Sequence, residues 1–293
     1  MWKIPLCALS FYLGTISGGM LANLMGFPAP PMPTGADQME LGQYLLMVSL
    51  ILAIVLATLA RNLSGGFLSR WLTLSFFTWI AHAVNNIIEG AIFTSMASVS
   101  IFTMVLYGAA SLLCGAAAAW LFPSQICGEG FIDGAKKFFG RYNFLGWVWR
   151  TLAALLAFPL IYFTFGLLIA PIVTPYYEQG LSSLSLPGLD QILPILLLRS
   201  LLFLIACLPV LILWQASEQR LFWVLALSLF LLVGGLNMLQ AYWMPGVLRI
   251  THSLEILADE LVYAGALVLL FNRSSNKKFE YFQRRYWFKS KTR

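Results

Sequence analysis

The chain has 293 residues, of which 60% are hydrophobic and only 10% charged, and its mean hydropathy is +0.81. A soluble domain carries about 25% charged residues, so this chain has too few charges to cover a water-facing surface, and lipid must be its main solvent. The net charge of +6 does not point to nucleic acid: eight of the 18 Lys and Arg fall in the last 21 residues, behind the final apolar run, where they suit anionic lipid headgroups.

A membrane-crossing helix needs about 20 mostly apolar residues. Eight such spans are predicted, at 4–25, 41–60, 71–94, 99–122, 144–172, 190–214, 220–243 and 246–272. The first follows Met1-Trp2-Lys3 and superficially resembles a secretory signal. The segment after it, Gly26-Phe-Pro-Ala-Pro-Pro, offers no small-residue cleavage site, so it reads as a retained span. Gly14, Gly18 and Gly19 within it suit close helix approach. The longest loop, 123–143, holds Lys136, Lys137 and Arg141, and Pro159, Pro194 and Pro209 are expected to kink spans 5 and 6. Arg150 is expected to snorkel to headgroups. Cys7, Cys114, Cys127 and Cys207 show no CxxC spacing and predict neither a disulfide framework nor a zinc knuckle.

Orientation follows from where the cations fall. Arg61, Arg70, Lys136, Lys137, Arg141, Arg220 and the tail lie on one side, whereas loops 25–40, 95–98 and 173–189 hold no Lys or Arg. The expectation is an all-α polytopic bundle of about eight transmembrane helices with both termini cytoplasmic, in a plasma or inner membrane. Residues 1–272 form one helix-bundle domain, and 273–293 a basic-aromatic tail that meets anionic lipid. No internal repeat is evident, because the polar stripes described next fall on spans 3 and 8, which two four-helix halves would not make equivalent. No Walker loop, GxSxG elbow or HExxH is present.

Charged residues inside spans cost about 2.5–3.5 kcal/mol each at a helix centre and face the bundle interior. Span 3 carries His82, Asn85, Asn86 and Glu89 at i, i+3, i+4 and i+7, one helical face. Span 8 carries Arg249, His252, Glu255 and Asp259 on one stripe, with Glu260 at its edge. At 1.5 Å per residue, packing the two helices antiparallel sets His82 level with Asp259 and Glu260, and Glu89 level with His252. An ion pair of Arg199 with Glu255 is one way such a cluster locks helix register. Span 6 adds Arg199, and span 7 adds Asn237 and Gln240; Tyr107, Tyr162 and Gln43 are further contributors. These residues favour the outer half, which predicts an outward-facing polar cavity.

Alternating His and carboxylate can relay protons, and the guanidinium of Arg199 or Arg249 matches an anionic substrate. The leading expectation is therefore a small-solute or ion-coupled transporter with His82, Glu89, Glu255 and Asp259 as coupling groups. The second is a membrane-embedded metal-dependent hydrolase in which His82, His252, Glu255 and Asp259 hold a divalent metal. The third is a non-catalytic subunit whose polar stripe locks helices. The pattern is similar to ceramidase-like membrane hydrolases in placing His and acids on several spans. Those enzymes have an HxxxH pair on a late span, and this chain has two histidines and no such pair, so their site is not carried over.

Overall fold

The computed structural model describes residues 2–30, 36–93, 100–125, 128–180 and 187–272; the tail 273–293, Cys127 and the 95–98 loop lie outside them. The order is α1 (Lys3–Leu24), α2 (Gln38–Asn62), α3 (Phe67–Thr78), a π-helical segment Trp79–Val84, α4 (Asn85–Phe93), α5 (Ser100–Leu121), α6 (Phe131–Phe139), α7 (Phe144–Glu178), α8 (Leu189–Leu213), α9 (Glu218–Phe230), a second π-helical segment Leu231–Gly235, α10 (Leu236–Gln240) and α11 (Gly246–Phe271). Among the described residues there are six helices long and apolar enough to cross a membrane: Lys3–Leu24, Gln38–Asn62, Ile101–Leu121, Phe144–Glu178, Leu189–Leu213 and Glu218–Gln240. The architecture is thus a helical membrane bundle. The helical stretches 67–93 and 246–271, predicted spans 3 and 8, stand outside those six, and they are the two that carry the polar stripes.

Local chemistry sets where these helices begin and end. Asp37 caps α2 by accepting from the Met39 and Glu40 N–H groups (2.8 and 3.1 Å), and Asn143 caps α7 through the Gly146 N–H (2.8 Å). The orphan carbonyls at the last turn of a helix attract cations. Buried Arg70 donates to the Ala119 and Phe122 carbonyls (2.8 and 2.9 Å) at the end of α5. At the end of α11, Arg150 Nε donates to the Leu270 carbonyl (2.8 Å) and Arg141 to that of Phe271 (3.1 Å). Arg150 also lies over the Tyr142 ring at 3.6 Å, so it ties helix ends together where snorkelling is expected. Desolvation in this position lowers the Arg141 pKa from its ordinary value.

The predicted loop 123–143 contains α6, an amphipathic helix whose Phe138 is buried against Trp147 and Phe271 while Lys136 and Lys137 face outward. Helix α7 continues through Pro159, Pro171 and Pro175 to Glu178, past the predicted end of span 5 at residue 172. Helix α1 belongs to the bundle: a Cβ on Gly14 would stand 2.6 Å from the Ala110 Cα, and one on Gly18 would meet the Leu106 backbone. Glycine is what allows α1 and α5 to approach this closely. Cys7 and Cys114 meet in the same interface with their Sγ atoms 3.8 Å apart, both as free thiols.

The bundle is built twice. Gln38 and Leu189, Asn62 and Leu213, Phe67 and Glu218, and Asn85 and Leu236 each begin or end equivalent helices 151 residues apart. Both halves place a π-helical segment between the equivalent helices. In each half the first helix packs on the second and the last, and the third packs on the last. Across the halves α2 meets α9 and α10, α8 meets α3 and α4, and the two π-helical segments meet each other. The short links after α2 and α8 form an antiparallel bridge, Leu63 with Trp214, in which the Ser64 N–H donates to the Leu213 carbonyl (2.9 Å). Equivalent helices run in the same direction, so the pseudo-two-fold axis lies along the bundle, through this bridge and the π-helical contact. This repeat corrects the expectation that none exists. It makes span 3 equivalent to span 7, and span 4 to span 8.

Candidate functional site

Helix α4 of the first half and α8, α7, α11 and the Leu231–Gly235 segment of the second pack in sequence around a ring. Four of these segments turn polar side chains into it. From α8, Arg199 is 3% exposed; its Nε donates to Asn85 Oδ1 at 2.8 Å, and its NH2 group forms an ion pair with Glu89, both on α4. The guanidinium carbon also lies 5.1 Å from the Phe158 ring centroid, 5.7 Å from that of Tyr162 and 5.8 Å from that of Phe203. Aromatic faces suit a desolvated guanidinium.

Helix α11 supplies the opposite wall. His252 Nδ1 bonds Glu255 Oε2 at 2.8 Å, and its Nε2 lies 3.4 Å from the Tyr177 hydroxyl of α7. The imidazole thus bridges the Tyr177 hydroxyl and the Glu255 carboxyl through its two ring nitrogens. The other Glu255 oxygen lies against Gly166, where a Cβ would stand 3.3 Å away; the glycine makes room for the carboxylate. Glu89 interacts electrostatically with Arg199, Glu255 and His252. Asp259 does so with Glu255, Arg199 and Glu89, and Glu260 with Asp259, Arg199 and Glu89. Glu89, Asp259 and Glu260 thus share one buried arginine, with Glu255 and His252 in reach of Glu89.

The two stripes therefore converge, but not as a packed helix pair. Helix α11 packs on α7, α9 and the second π-helical segment, and Arg199 of α8 stands between it and α4. The partner of Arg199 is Glu89, where Glu255 is the expected one. Glu89 and His252 do come within electrostatic reach, as their predicted depths require. His82 does not join them. Its Nδ1 bonds the Leu232 carbonyl at 3.0 Å across the pseudo-axis, and its ring packs against Tyr107 and Phe11. A carbonyl only accepts, so Nδ1 carries the proton.

The remaining expected site residues serve the helix framework. Asn86 donates to the His82 carbonyl and Asn237, its repeat mate, to the Val233 carbonyl, the same i−4 bond in each half. Arg249 caps α10 through the Met238 and Leu239 carbonyls (2.8 and 3.2 Å). Among the described residues Arg249 has no ion pair with an acid of the charged ring. The proposed metal set is split, with His82 at the pseudo-axis and His252 on the far wall. Among the described residues no group of three or more His, Cys, Asp and Glu side chains is disposed to hold a metal. Sequence reasoning missed Tyr177 because span 5 was ended five residues before it. The Tyr176-Tyr177 pair after Pro175 is the signal that marks an aromatic helix end.

The repeat supplies an internal control. The mates of the charged ring's helices, α10, α2, α1 and α5, line an open cavity of about 300 Å³ whose residues include Thr15, Leu45, Tyr107 and Gln240, none of them charged. Gln240 stands where the first ring has Glu89, Val48 where it has Arg199, and Leu236 where it has Asn85. The equivalent helices thus pack around neutral side chains. No family model, curated protein or solved structure matches this chain.

Proposed function

We propose that the chain is a secondary carrier of eight spans with both termini cytoplasmic. A small solute passes between the two four-helix halves, and its movement is coupled to protons or small cations. The observation that carries this reading is the neutral mate site: equivalent helices pack there with Val48 and Gln240 in place of Arg199 and Glu89. Buried charges are costly in lipid, so charges present in one half and absent from its mate point to work at the site. Duplicated halves related by an axis along the membrane normal, with the binding site near the repeat interface, are a recurrent carrier design.

In this reading Glu89 and Arg199 form a gate between the halves. A cation or proton that reaches Glu89 or Glu255 competes with the guanidinium for the carboxylate, and breaking the pair frees α4 to move against α8. The Tyr177–His252–Glu255 chain conducts protons from the end of α7 to the ring. His82, held at the axis by the Leu232 carbonyl, marks the hinge about which the halves rock.

The test is electrical. Purified protein reconstituted on a solid-supported membrane receives pH jumps in Na⁺, K⁺ or choline buffers. Wild type is expected to give transient currents that Glu89→Gln and Arg199→Met abolish and Gln240→Ala spares. Currents indistinguishable between protein-free membranes, wild type and all three variants defeat the carrier role.

A further inference from the structure

Below the Arg199 ion pair, α11 buries two consecutive acids that the gate does not use. Asp259 is 4% and Glu260 1% exposed. Among the described residues, both Glu260 oxygens and the Asp259 Oδ1 are buried without a hydrogen-bond partner. Neither acid has a Lys, Arg or His within ion-pair distance, since the buried pairs are Arg199 with Glu89 and His252 with Glu255.

The surroundings are settled by the packing. Helix α8 presents Arg199 and the free thiol Cys207, α7 presents Tyr162, α4 presents Glu89, and α11 itself adds Glu255 and Tyr263. The Tyr263 hydroxyl is directed at the Ser200 carbonyl, 3.5 Å away. Helix α9, the Leu231–Gly235 segment and α10 contain no titratable residue beyond Glu218 and Arg220 in the first turn of α9. An ionised carboxylate without donors in such a place is very costly, and two adjacent ones repel. The repeat shows that the frame does not demand these acids. The 151-residue spacing sets Gly108 and Ala109 at the positions of Asp259 and Glu260, and counting back from the helix ends Leu121 and Phe271 sets Ala109 and Ala110 there, small neutral residues either way.

We propose that Asp259 and Glu260 form a proton-binding site, separate from and deeper than the Arg199–Glu89 gate, in which the two carboxyls hold an exchangeable proton at neutral pH. This deepens the carrier reading by naming the coupling ion and where it is stored. Removing that proton places a second negative charge beside Glu89 and Glu255. The added charge draws Arg199 away from Glu89 toward α11, which is how loss of the proton loosens the gate.

Infrared spectroscopy reads this proton without any transport, so a silent flux assay and a missing proton fail separately. Wild-type protein in lipid nanodiscs is titrated in H₂O and D₂O. The expected result is a protonated-carboxyl C=O band at neutral pH that shifts in D₂O and bleaches on alkalinisation. Glu89→Gln keeps the band, and Asp259→Ala combined with Glu260→Ala, the residue type of the first half, removes it. Absence of the band from wild type at neutral pH, or its survival in the folded double variant, overturns the proposal. Bleaching by Na⁺ at constant pH overturns it as well, because the occupant is then a metal cation. Should the double variant not fold, the wild-type titration decides alone: a band that neither shifts in D₂O nor bleaches refutes an exchangeable proton.

Discussion

Replacing Arg199 with Met keeps most of the side-chain volume against Phe158, Tyr162 and Phe203 and removes the charge, the bond to Asn85 and the ion pair with Glu89. Breaking a buried pair by removing one partner costs about 3–5 kcal/mol. Glu89, however, is only partly enclosed, with 31% of its side chain exposed, so the expected cost falls to about 2–3 kcal/mol. Glu89→Gln leaves a guanidinium that is 3% exposed with an amide acceptor and with Asp259 and Glu260 in electrostatic reach, a loss of similar size. With Tm moving roughly 2–4 °C per kcal/mol, each single variant should melt about 4–12 °C below wild type in one fixed detergent. The double variant removes both charges and should recover about 1–3 kcal/mol of the summed loss. Strictly additive single losses, with no coupling between the two positions, would refute the geometry of the gate.

Two further outcomes test the architecture. Gly18→Ala drives a Cβ into the Leu106 backbone, whereas Gly19→Ala meets only the Leu106 and Phe102 side chains at 3.6 and 3.8 Å. The first should therefore lose roughly 1–3 kcal/mol in thermal unfolding while the second stays near wild type, and equal losses contradict the α1–α5 interface. In a background with the four cysteines replaced, Asp37→Cys should react with an impermeant maleimide on intact cells and Glu129→Cys only after permeabilisation. The reverse pattern inverts the proposed topology, and labelling of both on intact cells rejects eight spans.

Much of the bundle was legible from hydropathy, because lipid tolerates little but long apolar helices. Spans 1, 2, 4 and 6 match α1, α2, α5 and α8 to within a few residues. The two polar stripes were legible as well: desolvation forces intramembrane polar groups inward, and the helical period states which of them share a face. The repeat was not legible. Lipid-facing positions accept almost any apolar residue, so the two halves need share little identity, while their bridge, π-helical segments and the 25-residue lengths of α2 and α8 correspond.

What the amino-acid sequence determines by itself is the solvent, the helices and the face each helix turns inward, since these are local consequences of burial and period. Only the tertiary structure decided that Glu89 pairs with Arg199, that His82 crosses the axis to Leu232, and that Asp259 and Glu260 stand apart. Partner choice between helices depends on which ridges pack into which grooves. A helix's own period says how it faces, and nothing in that period says what it will meet.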